Sequence, residues 1–334
     1  MKIKLIILLL LFIFLSCANI YNTEELINRS TIDYSAGVSN DELFINFSSD
    51  ELTLSDQNIF FPPVQEPFFG NQIIGRFTNG TDMYIRRYGY GKDNKNAIFF
   101  IARIHGNEDG AERSVRIIEN FLIENPSLVL ENTSVFFLNP ASVEKSRHIY
   151  NEKHPNGEDP NRNFLDLDLN ETKAIASFIE KLALNWENVT VISSHHYNDT
   201  EGERRSNGIG WVFPLYNLTQ AGLRIIEGRS GSAIIILKRG DGFHYTNSRA
   251  SDDLARIFSQ LVNYQYEPMW QYNHNTNEAQ MYPGELLYFI SRLNQRLSKS
   301  VRVIEFEVPL SDRFIESINT RNGLISFIKY LLSE

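Results

Sequence analysis

Apolar and polar positions along this chain alternate between short apolar runs and amphipathic stretches. Ala97 to Ile104 is mostly apolar and too short for a helix, which predicts a core strand. Asp109 to Asn125 follows, with Ala111, Val115, Ile118 and Leu122 at the spacing of one helix face. Asn79-Gly80 is a strong turn signal ahead of Met83 to Tyr88, an alternating strand. Ser134 to Leu138 predicts another strand, closing at Asn139-Pro140. Glu171 to Leu184 carries Ile175, Phe178, Ile179 and Leu182 on one helix face, and Val189 to Ser194 is a strand that runs out into His195-His196. Ile209 to Pro214, Ala233 to Leu237 and Val301 to Val308 are further strands; Leu286 to Leu293 and the C-terminal segment are helices. Strands alternating with amphipathic helices predict an α/β fold, with a mixed, mostly parallel central sheet and helices on both faces. Arg204 to Gly210 and Arg239 to Ser248 read as long polar loops, of the kind that frame sites.

The N-terminus follows a different rule. Lys2 and Lys4 precede an unbroken apolar run, Leu5 to Leu15, which is too short for a comfortable membrane span and fits a signal-peptide core. Phe14-Leu15-Ser16-Cys17 resembles a bacterial lipobox, with Phe14 where Leu is usual. Cys17 is the sole cysteine, so no internal disulfide can form, and lipid attachment explains its position better than redox chemistry. The alternative is an ordinary secretory signal with an incidental cysteine. The expected organisation is a signal peptide over 1–17, a tether and lead-in over 18–70, and a catalytic domain over 71–334.

Composition narrows the partners. At 42% hydrophobic and 12% aromatic residues over 334 positions, the chain can bury a substantial core. Removing Lys2 and Lys4 from the 32 basic residues leaves 30 against 41 acidic, a net charge of −11. A negative body without a basic run argues against nucleic acid and against polybasic binding to anionic lipid. Contact with a membrane is therefore expected through a lipid anchor only, on an exported bacterial protein.

Polar groups stand at strand ends where an inert core has no use for them. His105 and Glu108 lie between a strand and a helix, at the edge of the sheet where open α/β folds bind ligands. His195 follows a second strand, and Glu307 lies in a third. Two imidazoles and a carboxylate are a set that a catalytic zinc accepts, with one position left open.

His105-Gly106-Asn107-Glu108, Asn139-Pro140, Gly157 to Phe164, Ser193 to Tyr197 and Phe306-Glu307-Val308-Pro309 occur in that order. Together they resemble the successive motifs of the zinc metallocarboxypeptidases of the carboxypeptidase A type. The resemblance implies Zn2+ held by His105, Glu108 and His195, with Asp159 orienting the first histidine. It implies Glu307 as the general base, Arg147 at the scissile carbonyl, and Asn161 and Arg162 as the clamp on the substrate's terminal carboxylate. The substrate implied is a peptide or muropeptide with a free carboxylate.

His196 competes with His195, Glu305 with Glu307, and Arg162 and Lys145 with Arg147. Tyr282 and Tyr288 are the candidates for a substrate-capping tyrosine. Ala141-Ser142 replaces the family's Asp-Gly, and Pro160 its Leu, which leaves substrate identity open. Asn139 to Lys145 followed by Arg147 also resembles the aspartoacylase and succinylglutamate desuccinylase branch, which cleaves N-acyl amino acids. A third reading is a surface lipoprotein that binds without catalysis.

Overall fold

The computed structural model of the chain describes residues 70–89, 95–164, 166–196, 210–218, 223–227, 233–238, 245–267, 272–273, 278–281, 285–309 and 317–334. The expected signal peptide, Cys17 and all of the expected tether and lead-in except Gly70 lie outside the described residues. Among the described residues, no helix is long and apolar enough to cross a membrane.

The eight strands of the main sheet are β1 (Gly70–Arg76), β2 (Asp82–Gly89), β3 (Asn96–Ala102), β4 (Thr133–Leu138), β5 (Asn188–His196), β6 (Trp211–Pro214), β7 (Gln265–Tyr266) and β8 (Arg302–Val308). Their spatial order is β1-β2-β4-β3-β5-β8-β6-β7. The central run β4-β3-β5-β8 is parallel throughout, whereas β1, β2 and β6 pair antiparallel with their inner neighbours. The sheet is thus mixed and mostly parallel, as the sequence pattern predicts.

Two hydrophobic layers explain why the central strands read as continuous apolar runs. On one face Phe99, Ile101, Phe136, Val191 and Val303 pack with α2 (Asn170–Asn185) and α4 (Leu286–Leu297). On the other, Ile98, Phe100, Phe137, Ile192, Ile304 and Phe306 pack with α1 (Asp109–Glu124), α3 (Arg249–Val262) and α5 (Ile318–Ser333). Ala111, Val115, Ile118 and Leu122 of α1 are all fully buried, so the periodicity names the correct face of that helix.

Three differences from the sequence reading stand out. Strand β5 continues through His195 and His196 rather than stopping at Ser194, so these histidines belong to the sheet ladder. Helix α3 went unread, although Leu254, Phe258 and Val262 recur every fourth residue; it closes at Asn263, whose φ of 61° is left-handed. A separate four-stranded sheet, built from 272–273, 278–281, 233–238 and 223–227, was foreseen only at Ala233 to Leu237. Short strands of that kind carry too little periodicity to be read from one sequence.

Topology places the site. The chain leaves β3 through α1 to β4 on one side, then crosses back through α2 to β5 on the other. Such a reversal opens a crevice at the carboxyl ends of the two strands.

Phe99 is fully buried and meets Phe178 of α2 edge-on, with ring centroids 5.0 Å apart. Phe99→Ala should cost about 3–5 kcal/mol of stability, read from the midpoint of urea unfolding. A loss under about 0.5 kcal/mol, the range of surface substitutions, would contradict this packing.

Candidate metal centre and active site

The turn after β3 is built to hold two side chains together. Arg103 takes a left-handed φ of 63°. Its guanidinium donates to the Gly106 carbonyl at 2.7 Å and to Glu112 at 2.8 Å, which pins the turn from behind. Gly106 has no substitute here, because a Cβ would fall 1.4 Å from the Glu144 carbonyl oxygen. The Glu108 amide donates to the His105 carbonyl at 3.1 Å, closing the turn. Glu108 caps α1 without spending its side chain on the helix, so the carboxylate is left for the site. The helix N-terminus also favours its negative charge.

His195 arrives by strand register. His195 of β5 lies opposite Glu307 of β8, and Ser193 opposite Glu305. Alternation along each strand puts these four residues on one face. His196, the competitor, is thereby on the opposite face.

The three chosen residues converge. His105 Nδ1 is 2.6 Å from one Glu108 oxygen, and His195 Nδ1 is 3.3 Å from the other. The imidazole centroids are 5.5 Å apart, and one ligand atom from each residue lies within 4.8 Å of the others. Each Nε2 faces outward to a partner: His105 to Asp159 at 2.8 Å, His195 to the Ser193 hydroxyl at 3.0 Å. Both Nδ1 atoms therefore point inward at one carboxylate. This is the donor set, with outer partners fixing the rings, that a zinc ion takes. Among the described residues no other group of histidine, cysteine and carboxylate side chains comes together in this way.

The electrostatics follow from burial. Burial works against ionised Glu108, but the charges of His105 and His195 outweigh it and hold its pKa near 2. Burial likewise opposes the His105 imidazolium, yet Glu108 and Asp159 raise its pKa. Asp159 is buried too, and His105, Arg162 and Arg147 keep it well below the usual carboxylate range. Glu307 goes the other way. Burial, reinforced by Glu108 and Glu305, pushes it up to about 8 against the pull of the histidines.

Arg147 lies on the rim, 43% exposed, with Nη2 donating to Asp159 at 3.1 Å. Asp159 also accepts from the Asn161 amide at 2.9 Å, so the loop and the first histidine are tied through one carboxylate. Asn161 is buried and accepts a hydrogen bond from the Leu286 amide at 3.2 Å, at the start of α4. Arg162 donates to the Asn161 carbonyl at 2.8 Å and lies 3.3 Å from a Glu285 oxygen. Tyr282 lies outside the described residues. Tyr288 is half-buried on α4, with its hydroxyl 3.4 Å from Arg292.

One residue of this neighbourhood, Glu285, had no place in the sequence reading, and Glu305 had one only as a rival to Glu307. Glu285 is buried beside Arg162, and burial pushes its pKa to about 8, with Arg162 opposing and Glu305 and Asp159 reinforcing the shift. Its one sequence signal is position, directly before the apolar run of α4. Glu305, weighed as a rival base, has an oxygen 3.7 Å from His195 Nε2, behind the ring rather than beside Nδ1.

No protein-family model matches the chain, and no curated protein matches it in sequence. Solved structures do match its fold. A metallo-carboxypeptidase from Burkholderia cenocepacia superposes with a TM-score of 0.51 at 12% identity, over 80% of this chain and 66% of that one. A protein from Shewanella denitrificans, provisionally assigned as carboxypeptidase A, gives 0.50 at 16%, over 80% and 65%. One from Burkholderia mallei, provisionally assigned as a carboxypeptidase, gives 0.50 at 13%, again over 80% and 65%. The chain thus spans slightly less than two thirds of the length of these neighbours, and it has the carboxypeptidase-like α/β fold that they share.

Proposed function

We propose that this chain is a zinc-dependent metallocarboxypeptidase, which hydrolyses the last peptide bond of a peptide or cell-wall peptide. The observation that carries the reading is the convergence of both Nδ1 atoms on Glu108 with a buried Glu307 level with His195. A zinc ion held by His105, Glu108 and His195 supplies, when bound, Lewis-acid chemistry at a carbonyl and acidifies water.

The chain's own groups divide the remaining work. Glu307 accepts the proton of the attacking water and returns it to the nitrogen of the leaving amine. Burial raises its proton affinity above that of an ordinary carboxylate, which favours taking the proton up. Arg147 stabilises the oxyanion with a guanidinium that Asp159 holds at the rim. Asn161 and Arg162 receive the terminal carboxylate, to which a guanidinium can donate two parallel hydrogen bonds. Asp159 and Ser193 keep the imidazoles in the orientation that turns Nδ1 inward. A capping role for Tyr282 and attachment of the whole domain to a membrane surface through Cys17 complete the proposal.

Glu307→Gln should lower kcat by about 10²–10⁴-fold while bound zinc stays near one per chain, measured by elemental analysis beside the assay. Normal turnover in that variant removes Glu307 from the chemistry. His195→Ala should lose zinc and His196→Ala retain it; the reverse ranking would assign the ligand to the other face of the strand. Chelation should abolish hydrolysis of a peptide panel, and added zinc should restore it. Cleavage of N-acyl amino acids in place of peptides would move the chain to the amidohydrolase reading, and no turnover on either to the binding reading.

A further inference from the structure

Helix α1 turns Ala111, Val115, Ile118 and Leu122 to the core, and a second stripe of the same helix lies beside that face. There α1 packs alongside α5, and the two leave between them an open groove of about 380 Å³. None of the residues at the metal centre lines it. Half-buried Ile117 and Phe121 of α1 and Ile325 of α5 give the groove its apolar surface. Arg113 and Arg116 stand on the α1 side and Arg321 on the α5 side. The Lys329 ammonium lies over the Phe121 ring, 5.2 Å from its centroid. Glu124 is the one acidic side chain among those lining the groove, and Arg116 is also paired with Glu112. A groove with apolar walls and several cations at its margins suits an anionic, amphipathic occupant.

The chain carries such a segment itself. Residues 18–69 hold nine of the 41 acidic residues and one basic residue, Arg29. Their net charge is −8, which leaves −3 for residues 70–334. Two acids followed by leucine occur there three times, at Glu24-Glu25-Leu26, Asp41-Glu42-Leu43 and Asp50-Glu51-Leu52. The first triplet is followed by Arg29, whereas 41–56 has five carboxylates and no basic residue. Phe44, Ile45, Phe47 and Leu54 follow the second and third triplets, so acidic pairs and apolar side chains alternate as the groove requires. Thirteen residues, 57–69, join this segment to Gly70 at the start of β1. Extended, they reach about 45 Å, against a radius of gyration of about 18 Å for a domain of this size. The groove is therefore within reach from the same chain.

We infer that the groove between α1 and α5 is the docking surface for the chain's own acidic segment, residues 41–56. Its carboxylates meet Arg113, Arg116, Arg321 and Lys329, and its leucine and phenylalanine side chains cover Ile117, Phe121 and Ile325. Exposed ion pairs are individually weak, and a separate peptide held by them would leave readily. A tethered segment faces the groove at an effective concentration of about 1 mM, which weak contacts suffice to exploit. Docked, the chain has residues 18–40 to span from Cys17 to the domain; released, it has 18–69. The clasp thus sets how far the domain stands from its N-terminus, and salt loosens it. Nothing in it depends on what the metal centre hydrolyses.

The test uses the full chain with Phe44 replaced by the photo-crosslinking analogue p-benzoylphenylalanine, prepared in light and heavy isotope forms that are then mixed. Crosslinked peptides, read by mass spectrometry, should join position 44 to α1 around Ile117 and Phe121 or to α5 around Ile325, within one isotope form. The yield should fall at least about threefold between roughly 50 mM and roughly 500 mM salt. Arg321→Glu with Lys329→Glu, both exposed and outside the metal centre, should lower it alike. Asp41→Asn with Glu42→Gln leaves the groove itself untouched and should give the same loss, which damage to the helices cannot explain. Crosslinks elsewhere on the domain, or a yield that neither salt nor either variant moves, would overturn the inference. Crosslinks between light and heavy chains would overturn it as well and make the groove an interface between copies. No crosslink in the groove, with binding to phosphatidylglycerol vesicles that Arg321→Glu removes, would give the groove to an anionic lipid surface instead.

Discussion

Everything at this site depends on the register of three parallel strands. Hydrogen bonding fixes Ala102 opposite Ser194 and Val308 opposite His196, so β3, β5 and β8 reach the same edge of the sheet together. His195 and Glu307 are then level neighbours, and the turn after β3 is close enough to bring His105 and Glu108 across. A slip of one residue in β8 would turn Glu307 to the other face. The apolar residues below the site resist that slip, because Val303 would leave one core as Ile304 entered it.

The turn after β3 solves a second problem, that of bringing an imidazole and a carboxylate within 2.6 Å. It does so with a left-handed Arg103, a glycine pressed against a carbonyl, and a helix whose first turn begins at the carboxylate. These features cost conformational freedom and some strain, which the scaffold on either side must hold in place. Arg103 is both the strained residue and the clamp, since its guanidinium bonds back to Gly106 and forward to α1.

Charge is the remaining cost. The site buries carboxylates that repel one another, and their proton affinities split accordingly. Glu108 and Asp159, facing imidazoles and guanidiniums, stay ionised, whereas Glu285 and Glu307 are driven up by burial. Groups of one chemical type thus acquire opposite proton affinities from position alone. Burying them works against stability, so they are not what a core selected for stability alone would hold.

Much of this was readable before any coordinate. Runs such as Ala97 to Ile104 are apolar because both faces of a central parallel strand are covered, and the i, i+3, i+4 spacing of α1 survives because one face meets the core. His105 and Glu108 were legible as a pair because three residues and a glycine separate them, and the motif order named Asp159, His195 and Glu307 as their companions. Helix α3 was legible too and went unread. What one dimension cannot contain is which distant groups meet: that His195 rather than His196 turns toward Glu108, that Glu305 lies behind an imidazole, or that Glu285 sits against Arg162 across more than a hundred residues. Periodicity along a chain records the face a residue shows to the core, whereas the distances between faces are set by strand register and helix packing, which only the folded whole decides.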